Sequence, residues 1–165
     1  MFPRSFLRGA VFAAGLLISV SLRADPLSER TALTPAEARG KMIYMGRSLS
    51  GRPLAFRLLG AGEGLLPAEG IFCANCHGAD GKGGREGSVV MPNITYATLI
   101  KPLAPSAPWD RERAPYTDVL LARAITQGVD SSGRQLSASM PRWMLSESEL
   151  QDLLQYLKRL GGKRK

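Results

Sequence analysis

A chain of 165 residues, 44% of them apolar, has room for one domain, or one domain behind a removable leader. Its 22 Lys and Arg outnumber 14 Asp and Glu for a net charge of +8, so nucleic acid, a membrane surface and acidic proteins are the partner classes to weigh. Two cysteines and one histidine leave a zinc site short of its four ligands, and 18 Gly with 11 Pro beside 7% aromatics describe a loop-rich fold with a thin core.

Arg4 and Arg8 open the chain, followed by an apolar run from Gly9 to Leu22 and by Ala24 before the polar Asp25. This order is that of a secretory signal peptide over residues 1–24, so the mature chain is expected to be exported. The run is shorter than the roughly 20 residues a spanning helix needs, and no later segment is apolar enough to span. Leu22 suits the cleavage site poorly, so a cut a few residues earlier is the alternative. Removal takes three arginines and no acid, leaving 19 basic and 14 acidic residues, a net of +5. An exported protein rarely meets DNA, so nucleic acid falls away. The basic surface suits an acidic protein partner; the basic stretch from Tyr156 to Lys165 reads equally well as a solvated end.

The first helix signature is LTPAEARGKMIYMG, residues 33–46. Thr34 serves as N-cap, Pro35 takes the first helical position and Glu37 closes a capping box. Ala38, Met42, Tyr44 and Met45 supply apolar contacts. Gly40 in mid-helix costs about 1 kcal/mol relative to Ala, a cost that close approach of another helix would justify. Residues 46–70 and 101–115, rich in Gly and Pro, read as loops. In residues 116–128, Thr117 is the candidate N-cap, Leu120, Leu121, Ala124 and Ile125 form the inner face, and Gly128 ends the helix. The last helix carries the fullest signals: Ser146 and Glu149 as capping box, Leu145 and Leu150 as hydrophobic staple, then Leu153, Leu154, Leu157 and Leu160 on one stripe. Gly161 terminates it, with Lys158 and Arg159 favouring the negative end of its dipole. No segment alternates strongly enough to demand a strand. The expected class is therefore all-α, and loops this long usually wrap something.

Cys73, Cys76 and His77 fall within five positions, in FCANCHGADGKGG. A C-x-x-C-H run is the attachment signature of c-type haem: two thiols on one helical turn reach one porphyrin edge, and the next imidazole reaches the iron. A thioredoxin-like reading wants a βαβ context that is missing, and a small disulfide loop does not explain the adjacent histidine. With no second histidine in the chain, a methionine thioether is the natural choice of sixth ligand. Met42 and Met45 read as core, and Met91 lies too near His77. Met140, in an irregular loop stiffened by Pro141, is favoured, with Met144 as its rival. The main-chain carbonyl of Pro92 is a candidate acceptor for the second ring nitrogen of His77.

With these residues in place the chain resembles a class I c-type cytochrome from about Ala36 to Leu160. The motifs are CANCHGADGKGG, MPNIT (91–95), LLARAITQGVD (120–130), SMPRW (139–143) and ELQDLLQYLKRL (149–160). REGSVVMPNIT and RAPYTDVLLARAITQGVDSSGRQL are similar to a subgroup of bacterial periplasmic monohaem cytochromes. The resemblance implies a cytochrome c-like fold of three to five helices and long loops wrapped around one haem c. It also implies thioethers at Cys73 and Cys76, axial ligation by His77 and Met140, and a crossing of the first and last helices at Gly40 and Tyr156. Residues 25–165 then make one domain, with the N-terminal helix and an inserted loop in 30–72 and the haem-binding core in 73–160. The insert before Cys73 is longer than class I members often carry. The expected role is a periplasmic one-electron carrier, not an enzyme in its own right. The alternatives are an electron-transfer subunit of a periplasmic dehydrogenase or oxidase, and a haem-based sensor.

Overall fold

The computed structural model describes residues 32–49, 51, 53–60, 62, 64–103 and 112–162; the expected leader over 1–24 lies outside them, as do parts of the 46–70 and 101–115 segments. In chain order they form α1 (Pro35–Tyr44), β1 (Ala55–Arg57), β2 (Leu66–Pro67), α2 (Cys73–His77), β3 (Gly84–Glu86), β4 (Val89–Met91), α3 (Tyr96–Leu99), α4 (Asp118–Gln127), β5 (Arg142–Met144) and α5 (Glu147–Arg159). The three longer helices start at the expected caps. Thr34 Oγ1 accepts from the Glu37 amide at 3.2 Å while the Glu37 carboxylate accepts from the Thr34 amide at 2.8 Å. Ser146 and Glu149 repeat the reciprocal pair at 3.3 and 2.9 Å. Thr117 Oγ1 accepts from the Leu120 amide at 3.3 Å. Each pair satisfies amide donors that a helix start would otherwise leave without partners.

Gly40 meets α5. A Cβ there would sit 2.0 Å from the Asp152 carbonyl oxygen and 2.8 Å from Tyr156 Cβ, so main chain rests on main chain at this crossing. The Tyr44 and Tyr156 rings tilt together at 5.4 Å, and Arg39 grips Asp152 through Nε at 2.6 Å and Nη2 at 2.8 Å. The buried stripe of α1 is therefore Gly40, Ile43 and Tyr44, whereas Ala38, Met42 and Met45 face outward. This corrects the expectation that the two methionines are core. The stripe is set by where α5 can approach most closely, which is the residue without a Cβ. On α5, Leu153, Leu154, Leu157 and Leu160 are buried as their spacing requires, joined by Tyr156.

The all-α expectation needs a second correction. Among the described residues, five helices are accompanied by five short strands. β1 lies between β2 and β5 in an antiparallel sheet, with Phe56 opposite Leu66 on one side and Trp143 on the other. β3 and β4 form a hairpin that pairs Gly84 with Met91. The 46–70 insert, read as loop, thus contributes two strands, and one of them binds the segment just after Pro141. Three-residue strands are too short to show alternation, so their pairing is decided by distant segments of chain.

Candidate functional site

α2 is a single turn, and its start is capped from within. Asn75 Oδ1 accepts from the Phe72 amide at 2.8 Å, replacing the side-chain cap that phenylalanine cannot supply. The turn ends at Gly78, whose amide donates to the Ala74 carbonyl at 3.0 Å. Within it Cys73 is half-buried, Cys76 is exposed and His77 is buried, and both thiols are free. Burial pushes the Cys73 thiol up to about 12, with the neighbouring Cys76 adding to the rise. An unattached Cys73 is accordingly protonated at neutral pH.

His77 is fixed from several directions. Its Nδ1 lies 3.0 Å from the Pro92 carbonyl oxygen, the partner suggested by the sequence; a carbonyl only accepts, so Nδ1 carries the proton. Burial pulls the imidazole pKa down, more than the Pro92 bond restores, so the ring is neutral and Nε2 presents a free lone pair. The His77 carbonyl accepts from the Gly83 amide at 2.8 Å, and the Gly78 carbonyl accepts from Tyr44 Oη at 2.6 Å. Burial also holds the Tyr44 phenol well above its ordinary range, so it stays a donor. Gly83 makes the His77–Pro92 contact sterically possible. At its φ of +72°, a Cβ would fall 2.1 Å from the Met91 carbonyl oxygen and 2.7 Å from Pro92 C and O. Tyr44 and Gly83 escape sequence reasoning, since a tyrosine in a helix reads as packing and a glycine in GKGG as a turn.

The second candidate ligand lies elsewhere in the chain. Met140 is half-buried on a turn between Ser137 and Pro141, with its amide donating to the Ser137 carbonyl at 3.1 Å. Met144 sits in β5 opposite Ala55 and is 46% exposed. Met91 is half-buried at the end of β4.

This donor set fits a covalently held haem. Two free thiols stand one helical turn apart, each able to add S–H across a carbon–carbon double bond with no oxidant. The next residue is a neutral, buried imidazole whose tautomer is fixed with Nε2 free for a metal, the arrangement typical of metal-ligating histidines. Cys73, Cys76 and His77 would hold the group.

No curated protein and no solved structure matches the chain. A protein-family model described as Cytochrome c matches residues 61–161, a span that contains the C-x-x-C-H turn, the Pro92 contact, Met140 and α5. On that match the chain belongs to the cytochrome c family of haem-based electron carriers, with haem c bound covalently.

Proposed function

We propose that this protein is a periplasmic one-electron carrier with His77 and Met140 as axial ligands, matured by removal of residues 1–24 to a single domain over 25–165. In that domain residues 30–72 supply the N-terminal helix and insert, and 73–160 the haem-binding core. When bound, haem supplies a one-electron ferric–ferrous couple, and a His/Met ligand pair raises its potential. The carrying observation is the Nδ1 bond of His77 to Pro92, which dedicates the other ring nitrogen to a metal. Tyr44, Gly83 and Pro92 keep that nitrogen in place in either oxidation state, so little rearrangement accompanies transfer. Met140 is favoured over Met144 because it is half-buried on a turn, whereas Met144 lies in a paired strand and faces water. Lys41, Arg47, Arg57, Lys82, Arg85 and Lys101 are exposed and give the domain a basic surface suited to an acidic redox partner. No helix among the described residues is long and apolar enough to cross a membrane.

The pyridine spectrum of the reduced, denatured protein, matured in a host that attaches haem c, should report two thioether links; colourless protein with free thiols would end this reading. Met140→Ala should abolish the weak sulfur-to-iron band at the red end of the ferric spectrum. A band that survives would transfer the ligand role to Met144 or Met91. Carbon monoxide should leave the reduced wild-type spectrum unchanged, and a ready response would favour a gas sensor instead.

A further inference from the structure

Arg142 opens β5 two residues after Met140 and is only 7% exposed. Its Nη1 donates to the Ser137 carbonyl at 2.8 Å and to the Met140 carbonyl, and its Nη2 donates to the Leu136 carbonyl at 3.2 Å. Among the described residues no carboxylate stands within ion-pair distance of it. A buried cation without a counter-ion is costly unless oriented dipoles replace its water shell. Three carbonyls do so here, and all come from the five residues that lead to and include Met140. The guanidinium also lies against Gly128, the left-handed end of α4. A Cβ at Gly128 would lie 2.1 Å from Arg142 Nε and 2.4 Å from Cζ. Residues 136–140 belong to no helix or strand, so the planar fork of one side chain supplies the cross-links that a ladder would otherwise provide.

We propose that Arg142 is the positioning residue for the sixth ligand: its guanidinium ties the carbonyls of residues 136, 137 and 140 into one closed turn and keeps Met140 from swinging away. The proposal rests on Met140 as the axial ligand. A lysine at 142 would keep the charge yet could not bridge three carbonyls with a fixed fork. Loss of one charge-assisted hydrogen bond from a local opening equilibrium raises the open fraction about tenfold.

The test compares R142K, R142Q and G128A with the wild-type holoprotein. Each variant should keep its far-ultraviolet circular dichroism, lose intensity in the red-end band of the ferric form, and bind carbon monoxide about tenfold faster when reduced. Leu153→Val, in the core of α5, serves as the control matched for melting temperature. If R142K folds, keeps the full band and stays inert to carbon monoxide, the clamp is overturned. It is equally overturned if the matched control loses the band to the same degree, because the effect is then general instability. Should the Arg142 variants fail to fold, two measurements still decide. G128A pushes on the guanidinium without removing it, and nuclear magnetic resonance of the wild-type Arg142 Nη protons should show separate, slowly exchanging signals; a single averaged signal refutes the clamp. A band that persists in Met140→Ala refutes the ligand assignment itself. Its loss there together with retention in R142K refutes the clamp alone.

Discussion

At Gly83 the main chain passes so close to Pro92 that no side chain fits, and the Pro92 carbonyl can therefore reach His77 Nδ1 at 3.0 Å. Gly83→Ala should displace that carbonyl and, with φ at +72°, add backbone strain, costing about 2–4 kcal/mol in a thermal melt. With His77 as the proposed axial ligand, an imidazole relieved of its acceptor is less basic and stabilises ferric iron less, so the reduction potential should rise. A potential that stays put while the melting temperature falls would show that the Pro92 bond does not tune the ligand. Asp130 is the second residue whose environment makes a forecast. Burial pushes its carboxyl pKa up, but the Arg134 amide at 2.9 Å, the Ser132 amide at 2.8 Å and the Arg134 charge outweigh burial and hold it below its ordinary value. A carboxyl with a lowered folded pKa contributes stability above its unfolded pKa and loses it as pH falls through the folded one. Asp130→Asn should be less stable than wild type near neutrality, and the two unfolding curves should converge in strong acid. Parallel curves across that range would refute the assignment.

The crossing of α1 and α5 is the element-scale feature with the clearest stakes. Because Gly40 abuts the Asp152 main chain, Gly40→Ala cannot be absorbed by a rotamer change and must push the helices apart. It should cost about 3 kcal/mol or more despite alanine's better helix propensity. Met42→Ala, on the exposed face of the same helix, should stay within about 0.5 kcal/mol of wild type. Chemical denaturation of the two variants side by side checks both, and equal losses would mean that the crossing is looser than described. The caps of these helices were readable because Thr34 with Glu37, and Ser146 with Glu149, act within four residues. The buried face of α1 was legible at Gly40 and Tyr44 but not in full, since apolar residues occur on both sides and only the partner helix selects Ile43 over Met42 and Met45.

Across the whole molecule, the insert and the C-terminal half are joined through β1 and β5. Phe56 packs on Trp143 with ring centroids 5.5 Å apart, and both are buried. Residues 46–70 therefore reach the strand that follows Met140. Phe56→Ala should cost about 3–5 kcal/mol, as large-to-small changes at buried aromatics do. Because the cavity borders β5, it should also weaken the red-end absorption band more than an equally destabilising change near α1 does. An unaltered band in the folded variant would confine the insert to a supporting role remote from the turn proposed to carry the sixth ligand. The basic surface belongs to this scale as well: if the proposed acidic partner docks there, its binding should weaken as ionic strength rises.

What the sequence determined by itself was local: the C-x-x-C-H turn, the caps and the leucine stripe of α5, each written in residues that interact within a turn or two of helix. His77's acceptor was also offered by the sequence, because a metal-bound histidine wants a partner for its second ring N–H and the Pro92 carbonyl was a candidate for it. Tertiary structure alone decided that β1 pairs with β5, that Tyr44 holds Gly78, and that Arg142 spans the turn before it while lying against Gly128. These contacts join residues that carry no mutual signature in composition or spacing. They form because folding brings unpaired strand edges, carbonyls and a buried charge together, and each must find a partner once water is excluded.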